Sequence, residues 1–198
     1  TGWTIVALVV AFAGCGGRSR PAVETPAVAK VRPLMVGVCA ESPPMAFLRG
    51  PGVAGLEIDF ARMPGEELRR PVRFIDFDWD DLFKGLLSEK VDIVMSGMTV
   101  TRARGVRVAF TDPYLESGLV ALVRRTEKDK YATPQKLLLT NDRAGYRIGT
   151  TGERYVVEKM KFATRSGYRN AEDAALELRQ NRIDVFVTDA PIVAWLVA

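Results

Sequence analysis

The side chains that could carry chemistry in this chain are carboxylates, hydroxyls and the cations of lysine and arginine. Histidine is absent from the 198 residues. This excludes nucleophilic catalysis by serine–histidine or cysteine–histidine pairs, and it excludes histidine-ligated zinc or iron. The two cysteines, Cys15 and Cys39, lie in such different sequence settings that no disulfide between them is expected. Binding or chemistry therefore depends on charge and hydrogen bonding, and no metal or other cofactor is expected.

Two short stretches combine hydroxyl or backbone donors with one charged side chain. The first contains Ser96, Gly97, Thr99 and Arg104, and the second contains Asp189 directly after a threonine. The carboxylate of an α-amino acid suits the forked N–H donors of arginine, and its ammonium suits a carboxylate. Arg104 and Asp189 therefore predict a site for a small zwitterion, with Ser96, Gly97 and Thr99 as further donors.

Each of the two charged residues also has a simpler explanation. Arg104 stands close to Arg102 and Arg107, and most arginines in such a setting only keep a surface solvated. Asp189 stands just before Pro191, and proline suits the first turn of a helix, so the carboxylate could be a helix N-cap. The residues alone leave both alternatives open.

Apolar runs and helical patterns alternate along the chain and define the elements that position these residues. Strands are predicted over 34–38, 72–75 and 91–95, and helices over 59–70 and 78–90. The pair Pro64-Gly65 falls inside the first helix, so a kink or a restart is expected there. Strands that alternate with helices predict an α/β fold with a mostly parallel sheet covered on both sides.

The second half of the chain repeats this pattern. A helix is predicted from Asn170, a strand follows over 183–187, and the segment 182–188 echoes the segment 90–96. The echo predicts two similar α/β lobes, joined by the apolar segment 118–123. Ligands of open α/β sheets bind beyond the carboxyl ends of the strands, so each lobe is expected to contribute one side of the site.

The first residues have the character of an export signal. The run 3–13 is apolar over about eleven residues, whereas a helix that spans a bilayer needs about twenty. Ala13 and Gly14 then precede Cys15, which resembles a bacterial lipobox with a lipidated cysteine. A buried helix that happens to end in this glycine-rich sequence is the alternative. Residues 16–30 lack periodicity and predict a flexible tether.

The charge and composition of the chain restrict its partners. The formal charge of +4 comes from 28 basic and 24 acidic residues that are interspersed along the sequence. Because no basic stripe is present, binding to nucleic acid is not expected. The length and the 47% hydrophobic content are sufficient for a folded core.

From about Val31 to its end, the chain resembles the family-3 solute-binding proteins of polar amino-acid ABC transporters. The resemblance rests on the order and spacing of short stretches, which are 36–38 with Pro43-Pro44, 55–59, 78–80, 91–94 with 96–99 and Arg104, 110–114, 149–151, and 183–184 with Asp189. It implies a type II two-lobe clamp in which each lobe is a mainly parallel sheet flanked by helices. It also implies capture of a free amino acid in the periplasm or at the cell surface, without catalysis, for an ABC permease in the membrane.

The resemblance also implies roles for residues of the predicted site. Arg104 would hold the ligand carboxylate, and Asp189 would hold the ammonium. Thr151, at the start of a helix, would add a donor beside the positive end of that helix. Trp79 would form one wall of the side-chain pocket, although from the residue alone a core aromatic is the alternative.

The opposite wall of that pocket departs from the family pattern. Ser42 stands where family members usually have an aromatic residue, and Met45 and Phe47 could fill the gap. Cys39 stands where members that bind basic side chains commonly have aspartate, so specificity for arginine or lysine is not implied. By itself, Cys39 is expected to be a small buried residue and not a reactive thiol.

The predicted organisation is a lipoprotein signal and lipobox over 1–15, a tether over 16–30, lobe 1 over 31–118 and lobe 2 over 119–198, in a monomer held on a membrane by lipid. Family members return from lobe 2 to complete lobe 1, and the sequence ends before such a return. A fragment with uncovered apolar surface on lobe 1 is therefore expected. Two alternative functions use the same clamp, namely a cyclohexadienyl dehydratase acting on prephenate or arogenate, and a sensory or cell-wall module.

Overall fold

Buried apolar strands form two lobes in the computed structural model, which describes residues 31–198. The predicted signal sequence, the lipidation at Cys15 and the tether over 16–30 lie outside the described residues. Within residues 31–198, no helix combines the length and the apolar content that crossing a bilayer requires. Over the same range, no three cysteine, aspartate or glutamate side chains are grouped so that they could hold a metal ion.

Lobe 1 is built on a three-stranded parallel sheet. Its elements, in chain order, are β1 (Leu34–Val38), β2 (Glu41–Ser42), β3 (Ala46–Arg49), β4 (Gly52–Ala54), α1 (Leu56–Glu67), β5 (Val72–Asp76), a 3₁₀ turn (Trp79–Asp81), α2 (Leu82–Leu87), β6 (Ile93–Val94) and α3 (Arg102–Gly105). The strand order β5-β1-β6 makes the parallel sheet, and β2-β3-β4 make a small antiparallel sheet. The strand predicted at 34–38 is confirmed, and the strand predicted at 91–95 is shorter than expected.

The core of lobe 1 lies between the parallel sheet and α1. Val36 and Val38 of β1 are fully buried and belong to the same apolar cluster as Ile58 and Ala61 of α1. Those two helical residues are three positions apart, so they lie on one face of the helix, which packs against the sheet.

Helix α1 differs from its prediction at Pro64. The helix begins at Leu56, earlier than expected, and it continues through Pro64 to Glu67, so of the expected kink or restart the restart does not occur. Gly65 lies so close to β5 that a Cβ atom there would be 2.3 Å from Val72 Cγ2. The Pro-Gly pair therefore costs the helix one hydrogen bond but allows the helix to approach the sheet closely.

Lobe 2 is built on a four-stranded sheet of order β7-β10-β8-β9, and its elements are β7 (Leu119–Val123), a 3₁₀ helix (Arg125–Tyr131), α4 (Pro134–Leu138), β8 (Arg143–Arg147), α5 (Thr151–Lys159), β9 (Thr164–Tyr168), α6 (Ala171–Arg179), β10 (Val185–Asp189) and α7 (Ala190–Leu196). Only β7 is antiparallel to its neighbour in this sheet, so the segment predicted to join the lobes supplies the edge strand of lobe 2. The predicted helix after Asn170 is confirmed as α6, and the Asn170 side chain caps it by accepting the Asp173 amide at 2.8 Å.

The two aspartates of the sequence echo have the same structural role in the two lobes. In lobe 1, the Asp92 amide donates to Met35 O at 2.8 Å, and the Asp92 carboxylate accepts the Met35 amide at 3.0 Å. In lobe 2, the Asp184 amide donates to Arg143 O at 2.8 Å, and the Asp184 carboxylate accepts the Arg143 amide at 3.1 Å. Each aspartate directly precedes one parallel strand and bonds to the backbone of the neighbouring strand. The echo therefore reflects a repeated α/β unit.

Candidate functional site

A cavity of 1160 Å³ is lined by both lobes and continues onto apolar side chains of lobe 1. It is larger than the about 300–1,000 Å³ of typical small-ligand pockets, because it includes this apolar face. Its lining contains every residue predicted for the site, namely Ser42, Trp79, Ser96, Gly97, Thr99, Arg104, Thr151 and Asp189. The fold therefore brings together residues that are far apart in the sequence.

Arg104 lies on the short helix α3 and reaches across to lobe 2. Its Nη1 donates to Thr99 O in lobe 1 at 2.9 Å, and its Nη2 donates to Gly149 O in lobe 2 at 3.0 Å. The side chain is half-buried, whereas its neighbours Arg102 and Arg107 are exposed. The alternative of a merely solvated arginine therefore does not describe Arg104.

Asp189 ends β10 and occupies the N-cap position of α7, but its side chain makes no capping hydrogen bond. The simpler explanation is therefore right about the position and wrong about the hydrogen bond. Burial raises the pKa of Asp189, and the charge of Arg104 opposes the rise. Burial likewise lowers the pKa of Arg104, and the charge of Asp189 opposes that change. Each of the two half-buried charges thus favours the ionised form of the other.

The loop between β8 and α5 presents donors from lobe 2. Thr151 is the first residue of α5, and Thr150 caps the helix by accepting the Glu153 amide at 3.4 Å while donating its hydroxyl to Arg147 O at 2.7 Å. The Glu153 carboxylate accepts the Gly149 amide at 2.7 Å. The Gly149 amide and the Thr150 hydroxyl therefore already have partners within the protein. Thr151 lines the cavity at the positive end of the helix.

The loop after β6 is held by a buried carboxylate that the sequence did not single out. Glu57, in the first turn of α1, accepts the Gly97 amide at 2.6 Å and also the Tyr114 hydroxyl. Glu57 is 1% exposed, and burial raises its pKa while these two donors oppose the rise. Gly97 therefore uses its N–H within the protein. Ser96 Oγ accepts the Cys39 amide at 2.9 Å, which leaves the Ser96 hydroxyl hydrogen for a ligand.

Trp79 lies in the cleft and contacts both lobes. Its Nε1 donates to Gly149 O at 3.1 Å, the same carbonyl that accepts from Arg104. The guanidinium of Arg104 lies over the indole ring at 5.8 Å from the centroid, and that of Arg147 lies at 5.0 Å. Trp79 is therefore a wall of the cavity and not an aromatic of the lobe 1 core.

Arg147 is the second residue of the cavity that the sequence did not single out. It ends β8, is 6% exposed and lines the cavity. Its Nη1 donates to Ser42 Oγ at 2.5 Å, its Nη2 to Cys39 Sγ at 3.2 Å, and its Nε to Arg169 O at 3.0 Å. The wall that departs from the family pattern at Ser42 and Cys39 is thus bridged by an arginine from the other lobe.

The two residues expected to fill the gap beside Ser42 lie in different places. Met45 is buried and lines the cavity. Phe47 packs against Trp195 with ring centroids 5.2 Å apart, and it is not part of the cavity lining. Cys39 is buried, as expected of a small interior residue.

Two α/β lobes that share one cavity, each contributing one of two opposite charges, define a two-lobe ligand-binding protein. Residues 34–184 match the family described as bacterial extracellular solute-binding proteins, family 3. The match covers most of the chain, and the chain belongs to this family. The resemblance inferred from the sequence is thereby confirmed.

Three relatives illustrate the similarity. The ABC transporter arginine-binding protein 1 of Escherichia coli (strain K12) is 31% identical over 162 residues, which are 81% of this chain and 65% of that protein. The crystal structure of the ancestral amino acid-binding protein AncCDT-1, a precursor of cyclohexadienyl dehydratase, has 33% identity and a TM-score of 0.79, over 83% of this chain and 73% of that chain. A mutant of arginine-bound ArgBP from T. maritima has 32% identity and a TM-score of 0.75, over 83% and 76% of the two chains. The predicted type II two-lobe fold is confirmed, and the chain spans less than two thirds of the length of the E. coli relative.

Proposed function

We propose that the protein captures a free amino acid outside the cytoplasm and delivers it to an ABC permease, without chemical conversion. The observation that carries this proposal is that Arg104 of lobe 1 and Asp189 of lobe 2 line one cavity. Each charge favours ionisation of the other. A zwitterion that lies between them satisfies both, because its two charges are opposite in sign to theirs.

The remaining contacts follow from the same orientation of the ligand. The ligand carboxylate accepts from Arg104 and from the hydroxyl of Thr151, beside the positive end of α5. The ligand ammonium donates to Asp189, and Trp79 lies against the aliphatic part of the side chain. Arg104 and Trp79 both donate to Gly149 O, so the residues that contact the ligand also hold the lobes together.

Calorimetric titration with a panel of free amino acids tests this function. At least one amino acid is expected to bind saturably. Arg104→Ala is expected to weaken that binding by about 100-fold or more, because removing one partner of a desolvated charge pair costs about 2–5 kcal/mol. Arg102→Ala is the matched control, since Arg102 lies on the same helix and is exposed.

Retention of wild-type affinity by Arg104→Ala would refute the carboxylate role. Incubation with prephenate or arogenate tests the enzymatic alternative. The proposal predicts that neither phenylpyruvate nor phenylalanine forms.

The location of the protein is part of the same proposal. The support is the apolar run 3–13 and the lipobox-like residues before Cys15. Lipid on Cys15 holds the protein, as a monomer, on a membrane in the periplasm or at the cell surface, and 16–30 serve as the tether. Labelled fatty acid is expected in the wild-type protein and in Cys39→Ser, and not in Cys15→Ser. Incorporation into Cys15→Ser would contradict the anchor.

A further inference from the structure

Arg147 is a buried cation without a carboxylate partner. Its side chain is 6% exposed, and its three hydrogen bonds go to a hydroxyl, a thiol and a backbone carbonyl. Within residues 31–198 it forms no salt bridge, although eight other arginine or lysine side chains in that range do. Buried arginines are normally paired with an acid, because desolvation of an unpaired charge is unfavourable.

The guanidinium of Arg147 retains donor capacity toward the cavity. Each terminal nitrogen carries two N–H groups. One N–H on Nη1 is used by Ser42 and one on Nη2 by Cys39, and within residues 31–198 the second N–H on each nitrogen has no acceptor. The ring of Trp79 below the guanidinium and the contact with Arg169 O fix its orientation. A fixed guanidinium with free N–H groups is a good partner for a carboxylate.

The charges of the cavity are unequal in number. Apart from Glu57, the charged lining residues that are not exposed are Arg104 and Arg147, with two positive charges, and Asp189, with one negative charge. The other charged residues of the lining, Glu41, Asp92, Arg107, Asp112 and Glu116, are exposed. The α-carboxylate and α-ammonium of any amino acid match Arg104 and Asp189 and leave Arg147 uncompensated. The buried acid Glu57 does not pair with Arg147, because its carboxylate accepts the Gly97 amide and the Tyr114 hydroxyl within lobe 1 and no hydrogen bond of Arg147 goes to it.

We propose that the ligand is a dicarboxylic amino acid of the aspartate or glutamate class, and that Arg147 determines this specificity by binding the side-chain carboxylate. The inference rests on the proposed function, since it assumes that Arg104 and Asp189 hold the α-groups. An arginine or lysine ligand would instead bring a second cation close to Arg147, whose guanidinium is already buried without a carboxylate partner among residues 31–198. The ligand preference therefore differs from that in the names of the arginine-binding relatives.

The test uses amino acids that differ in charge and hardly in shape. Calorimetric titration of the wild-type protein compares L-glutamate with L-glutamine, L-aspartate with L-asparagine, and all four with L-arginine and L-lysine. At least one acidic amino acid is expected to bind about tenfold or more tightly than its amide, because a charge-assisted hydrogen bond is stronger than a neutral one. Arginine and lysine are expected to bind more weakly than either.

Two variants connect the preference to the residue. Arg147→Met removes the charge and replaces the aliphatic part of the arginine with an unbranched apolar side chain, and it is expected to abolish the difference between acid and amide. Arg165→Met is the matched control, since Arg165 is an exposed residue of the neighbouring strand, and it is expected to keep that difference. Thermal unfolding of both variants checks that they fold. If Arg147→Met does not fold, the wild-type titration alone still tests the preference for an acidic amino acid.

The outcomes separate this inference from the proposed function. Wild-type binding of arginine, or of glutamine and asparagine, as tight as that of the acids would overturn the specificity and leave amino-acid capture intact. A folded Arg147→Met that still prefers the acid by the same factor would overturn the role of Arg147. Failure of every free amino acid to bind would overturn the proposed function itself.

Discussion

Gly149 is the residue whose carbonyl connects lobe 2 to both Trp79 and Arg104 of lobe 1 by hydrogen bonds. Its carbonyl accepts hydrogen bonds from Trp79 Nε1 and Arg104 Nη2. Its φ is +74°, and a Cβ atom would lie 2.7 Å from Asp80 Oδ1 and 2.9 Å from Trp79 Cδ1. Both the backbone conformation and the lack of space require glycine at this position.

Gly149→Ala is expected to weaken amino-acid binding by about tenfold or more, because the added methyl group separates the lobes that must close on the ligand. Gly50→Ala is the matched control, since Gly50 has a φ of +59° and nothing within 4 Å of a Cβ atom. Both variants are expected to lose about 1–2 kcal/mol of stability from backbone strain. Titration and urea unfolding of the two variants separate the effects, and equal affinities would contradict the account of cleft closure.

Asp189 makes ligand binding sensitive to acid. Burial raises its pKa above the ordinary value of 3.8, while Arg104 opposes the rise. The ammonium contact needs the ionised carboxylate, so affinity is expected to fall as the pH drops through the raised pKa. This loss begins at a higher pH than for an exposed aspartate. Burial also raises the pKa of Glu57. Calorimetric titrations from about pH 7 to about pH 4 therefore compare the wild type with Asp189→Asn, so that the contribution of Asp189 is separated from that of Glu57.

The raised pKa of Asp189 has the opposite effect on the stability of the ligand-free protein, because ionisation of Asp189 favours binding but disfavours folding. A carboxyl group whose pKa is raised by folding is easier to ionise in the unfolded chain, so it destabilises the folded state as the pH rises above 3.8. Asp189→Asn is therefore expected to bind amino acids weakly at neutral pH and yet to unfold at a higher urea concentration than the wild type. A variant that binds normally, or one that is less stable, would contradict this assignment.

At the scale of elements, Asp184 joins β10 to its neighbours in lobe 2. Its carboxylate accepts from Arg143 Nε at 2.8 Å and from Arg143 Nη2 and Arg124 Nη2 at 2.7 Å each. Hydrogen bonds from Arg143 and Arg124 hold the pKa of Asp184 well below its usual range. The group therefore stabilises the fold above pH 3.8, and the stabilisation is lost as the pH falls through the lowered pKa.

Asp184→Asn is expected to lose about 2 kcal/mol of stability at neutral pH, the usual contribution of hydrogen bonds to a charged group. The difference from the wild type is expected to shrink in acid. Glu158→Gln is the control, because Glu158 is exposed and removal of its charge is expected to change little. Urea unfolding at neutral pH and in acid measures the free energy of unfolding of both variants. A stability of Asp184→Asn equal to that of the control would contradict the proposed role of Asp184.

Elements with a clear hydrophobic or capping pattern in the sequence were predicted, whereas short or polar strands were not. The apolar run of β1 and the capped helix after Asn170 were predictable because their signals span several residues. The strands β2 to β4 have two to four residues each, which is too short for an alternating pattern. Strands β8 and β9 are rich in arginine, glycine, serine and threonine, so composition gives no strand signal there, although buried positions such as Ala144 support the sheet.

At the scale of the whole molecule, the cavity exists only because two separate sheets present their carboxyl ends to each other. The sequence predicted Arg104 and Asp189 as a pair, because opposite charges follow two echoed strands. It did not predict Arg147, whose signal is a cation at the end of a polar strand, two residues before Gly149. Nor did it predict Glu57, an acid within the apolar stretch 55–58. Single charges become informative only when tertiary packing buries them.

The central claim is that Arg104 of lobe 1 binds the carboxylate of a zwitterion and Asp189 of lobe 2 binds its ammonium. The most direct test takes the amino acid that binds most tightly and compares it with two analogues, one with the α-carboxylate converted to an amide and one with the α-ammonium replaced by hydrogen. Each analogue is expected to bind the wild-type protein about 100-fold or more weakly, because each leaves Arg104 or Asp189 as an unpaired, half-buried charge. An affinity equal to that of the amino acid for either analogue would contradict the claim.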